Sequence, residues 1–302
     1  MKRTVILVNK DFEYKGFIEG LRKTLPVYAG TNGRDAECRL DVLNADIYCI
    51  QHLFGKGENS SNSEVKFGLL KKLFIDKVFG LKNVDYLISV STSEATPAIQ
   101  GEVWSDSRNG CVYIGNRFFI SDQSKYDETT SSHLVIGNAE SGNTEVYSDE
   151  PIYSDLYNAI NKTQMNLEPV THNPAKELKC IAGVDFMSIG VANVMDYSCY
   201  KKADAAAYDW FVSHYSDTSI IPIGIETTHG IVKKAFETSS REQFIKNNIP
   251  VMFVSPITDR YLKFDEDVDG TDGKQNFECS YNSGIATGNV LILLNKLLMK
   301  NI

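Results

Sequence analysis

The chain has 302 residues, 42% of them hydrophobic and 23% charged, an ordinary globular composition with enough length for one large domain or two average ones. Its net charge of −8 gives no basic footprint, so a phosphate-backbone partner is disfavoured and nucleic acid is not expected. No apolar run approaches the roughly 20 residues of a membrane span, and the run at 5–8 is too short for a signal peptide, so a soluble, cytoplasmic protein without a membrane partner is expected. The six cysteines (38, 49, 111, 180, 199 and 279) form no C-x-x-C pair, and reduced thiols are expected of them.

In chain order, "TVILVN" (4–9) is a compact β-branched run closed by Asn-Lys-Asp, and apolar residues at 17, 18, 21 and 25 then predict a helix. "ADIYCIQHLFG" (45–55) predicts a second buried strand. From 64 to 81, Val65, Leu69, Leu70, Leu73, Phe74 and Val78 recur on one side of a helix. "VDYLISVS" (84–91) reads as a third strand, and strand–helix–strand units at this spacing build a largely parallel sheet with helices on its faces. "GCVYIGNRFFISD" alternates like a strand, whereas 121–150 is polar, Gly/Ser-rich and weakly periodic, an insertion. A helix "IYSDLYNAINKTQ", strands "KCIAGVDF" and "SIGVANVMD", a helix "DAAAYDWFVSHY" and a strand "IIPIGIE" follow. Then come a helix at about 228–247, a strand "IPVMFVSPITD" (249–259) and a last helix "GIATGNVLILLNKLLMK". The pattern predicts one α/β domain over 1–302, with a mixed, largely parallel central sheet flanked by helices and a polar insertion at about 121–150.

Ligands of such sheets lie beyond the carboxyl ends of the strands, so the residues closing each apolar run are the candidates. These endings are Asn9-Lys10-Asp11 with Glu13, Gly55 to Ser61, Ser89 to Glu94, Asn193 to Tyr197, Glu226-Thr227-Thr228, and Thr258-Asp259. Carboxylates accept hydrogens from sugar hydroxyls, and an acid protonates a departing ring nitrogen. The combination therefore suits a ribose bearing a base.

The order of these endings resembles the nucleoside phosphorylase and nucleosidase superfamily, most closely the methylthioadenosine/adenosylhomocysteine nucleosidase branch. "IGIETTHGIVKKAF" (223–236) looks like the family's strand-to-helix junction. It is followed by an Asn-x-Pro entry, "NNIPVMFV", and a strand closing in Thr-Asp. The likeness extends more weakly to "TVILVNKDFE", "FGKGENSS" and "DYLISVSTSEA". It implies a nucleoside phosphorylase-like fold and hydrolysis of a purine nucleoside or nucleotide at its N-glycosidic bond. By this resemblance Asp259 activates the leaving base, Glu13 (or Asp11) activates water, and Glu226, flanked by Ile225 and Thr227, binds ribose hydroxyls. Tyr197 would stack on the base, and Ser89, Ser91 and Thr92 would line the water side. A small-molecule substrate, no cofactor and a homo-oligomer are implied as well.

The sequence departs from the pattern at three places. Gly224 stands where the nucleosidases carry a second glutamate, Ser91-Thr92-Ser93-Glu94 replaces a glycine-rich turn, and Ser89 stands about where the phosphorylases place a phosphate-binding arginine. The last point favours hydrolysis over phosphorolysis. The alternatives are a phosphorylase, a nucleotide-depleting effector using the insertion, or a non-catalytic purine-binding member of the fold.

Structural uses compete for each residue: a turn or N-cap for Asp259, a first-turn carboxylate for Glu226 and a solvated one for Glu13, and packing for Tyr197. Lys56 between two glycines lacks the phosphate-loop spacing and is read as a tight turn. Asp265, Asp267, Asp269 and Gly270 match half of a calcium loop, but Asn276 stands at its closing position, so an acidic lid is expected instead. The five histidines show no i, i+4 or H-E-x-x-H pairing, so zinc is not suggested, and no G-x-S-x-G elbow supports a serine nucleophile.

Overall fold

The computed structural model describes residues 2–30, 36–53, 63–75, 84–96, 107–121, 151–189, 223–226, 228–242, 250–260 and 273–300. Twelve strands are β1 (Thr4–Val8), β2 (Tyr28–Ala29), β3 (Cys38–Leu40), β4 (Ala45–Cys49), β5 (Tyr86–Val90), β6 (Ser93–Thr96), β7 (Val112–Gly115), β8 (Arg117–Ser121), β9 (Cys180–Ala182), β10 (Asp185–Ile189), β11 (Ile223–Glu226) and β12 (Val251–Arg260). The helices are α1 (Asp11–Leu21), α2 (Ile50–Leu53), α3 (Ser63–Leu73), α4 (Pro151–Asn161), α5 (His229–Glu242) and α6 (Lys274–Lys300).

The strands hydrogen-bond in the order β2-β3-β4-β1-β5-β12-β6-β11-β10-β8, with β7 on β12 and β9 on β7. The central pairs β4-β1, β1-β5 and β5-β12 are parallel, which brings the carboxyl ends of β1, β4 and β5 to one edge. The pairs β2-β3, β3-β4, β6-β11 and β7-β12 are antiparallel, so the sheet is mixed as expected.

Every residue of β1 is buried, the signature of a parallel strand covered on both faces. Its side chains alternate between two cores. Val5 and Leu7 join Leu87, Val251 and Phe253 under α3 and α5, with Leu70, Phe74, Ile231, Val232 and Phe236. Ile6 and Val8 join Ile47, Ile88, Met252 and Val254 under α1, α4 and α6, with Phe17, Leu21, Leu156, Val290 and Leu291.

On that second face α1 and α6 touch backbone to backbone. Gly16 and Gly20, four residues apart, share one side of α1. A Cβ on Gly16 would overlap the Phe277 carbonyl, and one on Gly20 the Tyr281 carbonyl. Gly284 of α6 meets the Phe17 carbonyl in the same way. This contact fixes the depth of α1, whose first turn carries Glu13.

Several boundaries differ from the sequence expectations. The strand expected over 45–55 ends at Cys49, and a short helix begins at Ile50. The alternating run from Val112 is two strands, broken at Asn116 and carried to different neighbours, β12 and β10. The boundary expected between "KCIAGVDF" and "SIGVANVMD" falls earlier, at Gly183, whose φ of +87° suits glycine. The last helix starts at Lys274, ten residues before Gly284, because the polar residues that open it are buried by hydrogen bonds. Thus Asn282 Nδ2 donates to the carbonyls of Gly110 and Glu168, both at 2.8 Å.

β12 changes partners along its length. Val251–Val254 pair with β5, Phe253–Pro256 with β7, and Ile257, Asp259 and Arg260 with β6. A strand carrying a proline ordinarily bulges or ends there, and β12 carries Pro256. It runs on instead, and the register break lies between Ile257 and Asp259, leaving Thr258 as the extra residue. The Ile257 amide donates to the Cys111 carbonyl of the β7 segment at 2.9 Å, so by alternation Pro256 directs its nitrogen the other way. There β5 has ended at Val90 and β6 has yet to begin at Ser93, so the missing donor breaks no ladder bond.

Candidate functional site

Three strand ends meet where β1, β4 and β5 finish. The Asn9 amide donates to the Val90 carbonyl at 3.1 Å and the Gln51 amide to the Asn9 carbonyl at 3.0 Å, which ties the ends together. Asn9 Nδ2 also approaches Ser91 Oγ at 3.4 Å.

Glu13 is the third residue of α1, a position from which a carboxylate turns back over the helix start. The Lys10 amide donates to its Oε2 at 3.2 Å and Thr92 Oγ1 to its Oε1 at 2.9 Å. Glu13 is only 1% exposed, so the first-turn placement holds but the solvated reading does not. The structure thus joins two sequence candidates, Glu13 and Thr92, across 79 residues of chain.

The β12 bulge is held from two sides. Gln275 Nε2 of α6 donates to the Thr258 carbonyl, and Thr258 Oγ1 contacts the Ser93 carbonyl at 3.5 Å. The next residue, Asp259, lies in register with Glu94 of β6, whose other neighbour is Ile225 of β11, one residue before Glu226. The backbone therefore sets Asp259, Glu94 and Glu226 on three adjacent strands. Glu94 is buried, at 2% exposure.

A buried polar chain crosses the sheet nearby, and the sequence reading missed most of it. Ser89 Oγ lies 2.8 Å from His229 Nδ1, His229 Nε2 lies 2.8 Å from Ser255 Oγ, and Ser93 Oγ donates to Ser255 Oγ at 2.6 Å. His229 is fully buried against Phe186 and Phe253, with ring centroids 5.4 and 4.9 Å away. Burial pulls its pKa down to about 3, so the ring is neutral at physiological pH. Its place as the first residue of α5 acts in the same direction, since a helix N-terminus disfavours a cation. A neutral imidazole has one donor and one acceptor nitrogen, so the hydroxyls at its two ends take opposite roles. Ser89 is thus spoken for by His229 inside the fold. The available signal was position: His229 follows the Glu226-Thr-Thr ending directly.

A second polar group lies on the other flank of Glu13. His52 of α2 places Nδ1 2.7 Å from Glu37 Oε2 and Nε2 2.8 Å from Asp11 Oδ1. Partial burial would lower its pKa, but the hydrogen bonds and charges of Glu37 and Asp11 outweigh this and hold it above the usual value. The Cys49 amide donates to Glu37 Oε1 at 3.0 Å, while burial pushes the Cys49 thiol up to about 12. Glu37, Cys49 and His52 offer ligand atoms that all lie within 4.8 Å of one another.

Tyr197, Thr227, Lys56, the helix expected over 204–215 and nearly all of the insertion and of the acidic segment lie outside the described residues. A small apolar cleft lined by Tyr86, Leu87, Tyr153, Leu156, Pro250 and Leu294 opens at the opposite ends of β5 and β12, away from these groups. Among the described residues, no helix is long and apolar enough to cross a membrane.

The architecture is that of the nucleoside phosphorylase-like α/β class. The sequence matches no protein-family model and no curated protein. Among solved structures, the chain is similar to a Borrelia burgdorferi protein assigned to the 5'-methylthioadenosine/S-adenosylhomocysteine nucleosidases, bound to adenine. The TM-score is 0.51 at 12% identity, over 96% of this chain and 99% of that one. It is similar as well to the adenine-bound enzyme of Colwellia psychrerythraea, with a TM-score of 0.50 at 10% identity over 97% and 96% of the two chains. The apo 5'-methylthioadenosine nucleosidase of Arabidopsis thaliana gives 0.50 at 12% identity over 98% and 96%. At such identities the likeness defines the fold, and the side chains must carry any argument about chemistry.

Proposed function

We propose that the protein hydrolyses the N-glycosidic bond of a purine nucleoside or nucleotide and releases the base. The observation that carries this reading is the buried Glu13 carboxylate, oriented by the Lys10 amide and the Thr92 hydroxyl where β1 and β5 end. Two solved structures of the same fold are nucleosidase-type proteins holding adenine.

In this scheme the sugar gains oxocarbenium character as the bond to the base stretches. Glu13 takes a proton from water aimed at the anomeric carbon, and Asp259 shares its proton with the ring nitrogen that receives the electron pair. Glu226 accepts hydrogen bonds from ribose hydroxyls, Tyr197 stacks on the base, and Ser91 and Thr92 flank the water. Ile225 and Thr227 set the backbone beside the sugar. Ser89 supports the site through His229, and its hydroxyl offers no cation to hold phosphate, which favours water as the nucleophile. A homo-oligomer in the cytoplasm belongs to the same proposal.

The variants Glu13→Gln and Asp259→Asn test it. Each should fold, by circular dichroism, and each should lose at least about 100-fold in base release, the usual worth of a positioned acid or base. Near-wild-type release from both variants would contradict the assignment.

A further inference from the structure

We propose that Glu37, Cys49 and His52 form a binding site for a divalent transition metal ion such as Zn2+, with Asp11 as the outer partner that orients the histidine. The site lies beside the candidate nucleosidase centre and does not depend on that reading.

The argument begins with the histidine. A neutral imidazole carries one N–H, yet both ring nitrogens of His52 face carboxylate oxygens, at 2.7 Å from Glu37 and 2.8 Å from Asp11. If Nε2 keeps its proton and donates to Asp11, the Nδ1 lone pair points at an acceptor, and a cation must stand between them. A proton is one such cation. A metal ion is the other, and the third group at this place favours it, because Cys49 adds a sulfur within 4.8 Å of a carboxylate oxygen of Glu37 and a ring nitrogen of His52. Nitrogen, sulfur and oxygen together are the donor set of zinc and its neighbours, whereas calcium and magnesium take oxygen alone.

The surroundings are built for that role. A metal-bound histidine usually donates its other N–H to a carboxylate, and Asp11 receives it here while Lys15 Nζ, 2.5 Å from Asp11 Oδ2, neutralises the acid. The Cys49 amide holds Glu37 by its second oxygen at 3.0 Å, leaving Oε2 for the ion. Burial raises the Cys49 thiol and the amides of His52 and Gln51 oppose this only in part, so the ion itself must displace the thiol proton. The three ligands come from the residue before β3, the last residue of β4 and the third residue of α2, so the main chain fixes two of them before any ion arrives. Cys49 and His52 also stand in C-x-x-H spacing in the sequence, a local signal that a search for paired histidines or paired cysteines passes over.

Tetrahedral bonds of about 2.0–2.1 Å to nitrogen and oxygen separate those atoms by roughly 3.3 Å. The Nδ1–Oε2 gap of 2.7 Å must therefore open slightly, and the side chains of His52 and Glu37, 38% and 28% exposed, have room to do so. Binding exchanges protons for the ion: the Cys49 thiol loses its proton, Nδ1 loses the one it shares with Glu37, and no electron moves. A fourth position is left to water.

Titration of the full-length, metal-stripped protein with Co2+ tests the proposal, because a thiolate ligand gives cobalt a charge-transfer band in the near ultraviolet. One equivalent of Co2+ should produce the band, and Zn2+ should displace it. Cys49→Ser should abolish it, His52→Gln, at an exposed position, should weaken binding by more than tenfold, and Cys38→Ser should leave it intact. Asp11→Asn should cost about 10–100-fold in affinity, as loss of such outer partners does. A wild-type protein with no charge-transfer band, or a band that survives in Cys49→Ser, would overturn the site and leave His52 as an imidazolium between two carboxylates.

Discussion

His229 gives the most quantitative test of the interior. Its pKa is near 6.5 in the unfolded chain and is lowered by burial to about 3 in the fold. Between those values the unfolded state binds a proton that the folded state does not, so stability falls as pH falls. The window opens at 6.5, and pH 5 lies 1.5 units below it. At about 1.4 kcal/mol per unit the loss from this residue alone is about 2 kcal/mol, a large share of the 5–15 kcal/mol by which domains of ordinary stability persist. Urea unfolding at pH 7 and pH 5 measures the change, and His229→Gln supplies the reference, since glutamine keeps polar atoms near Ser89 and Ser255 without titrating. The variant should be less stable at pH 7, but its decline toward pH 5 should be shallower than wild type by about 2 kcal/mol. All other titrating groups, including His52 with its opposite shift, are common to both proteins and cancel in the comparison. Equal declines would refute the neutral, sequestered imidazole and with it the directed chain from Ser89 to Ser93.

Two further substitutions probe the supports of Glu13. Thr92→Val keeps the shape but deletes a hydrogen bond to a buried carboxylate, and should cost about 1.5–3 kcal/mol in denaturant unfolding together with a drop in base release. Gly20→Ala drives a methyl group into the Tyr281 carbonyl, so α1 must lift from α6. The melting temperature should fall by an amount equivalent to about 1–3 kcal/mol, and base release should fall with it because Glu13 moves.

The central strands were legible because parallel strands buried on both faces are written as unbroken apolar runs, as in "TVILV" and "YLISV". α1 and α3 were legible from their apolar period. The short strands β2 and β3 near the sheet edge and the switch strand β6 were not, since Tyr28–Ala29 and Ser93–Thr96 are too brief or too polar to alternate. The start of α6 was hidden for a different reason: its polar residues are buried through bonds such as those of Asn282, which only the tertiary fold reveals. At the candidate site, the strand endings pointed to Glu13 and Thr92, but the 79-residue separation between them hid their hydrogen bond. His229 and the Glu37, Cys49 and His52 group escaped for the same reason, as each is assembled from separate elements.

The most direct test of the account is incubation of the wild-type protein with a panel of purine nucleosides and nucleotides in phosphate-free buffer, with free base and reducing sugar followed together. The account predicts that at least one member yields base and free sugar in equal amounts without phosphate. Base release that requires phosphate, or no release from any member of the panel, would contradict it.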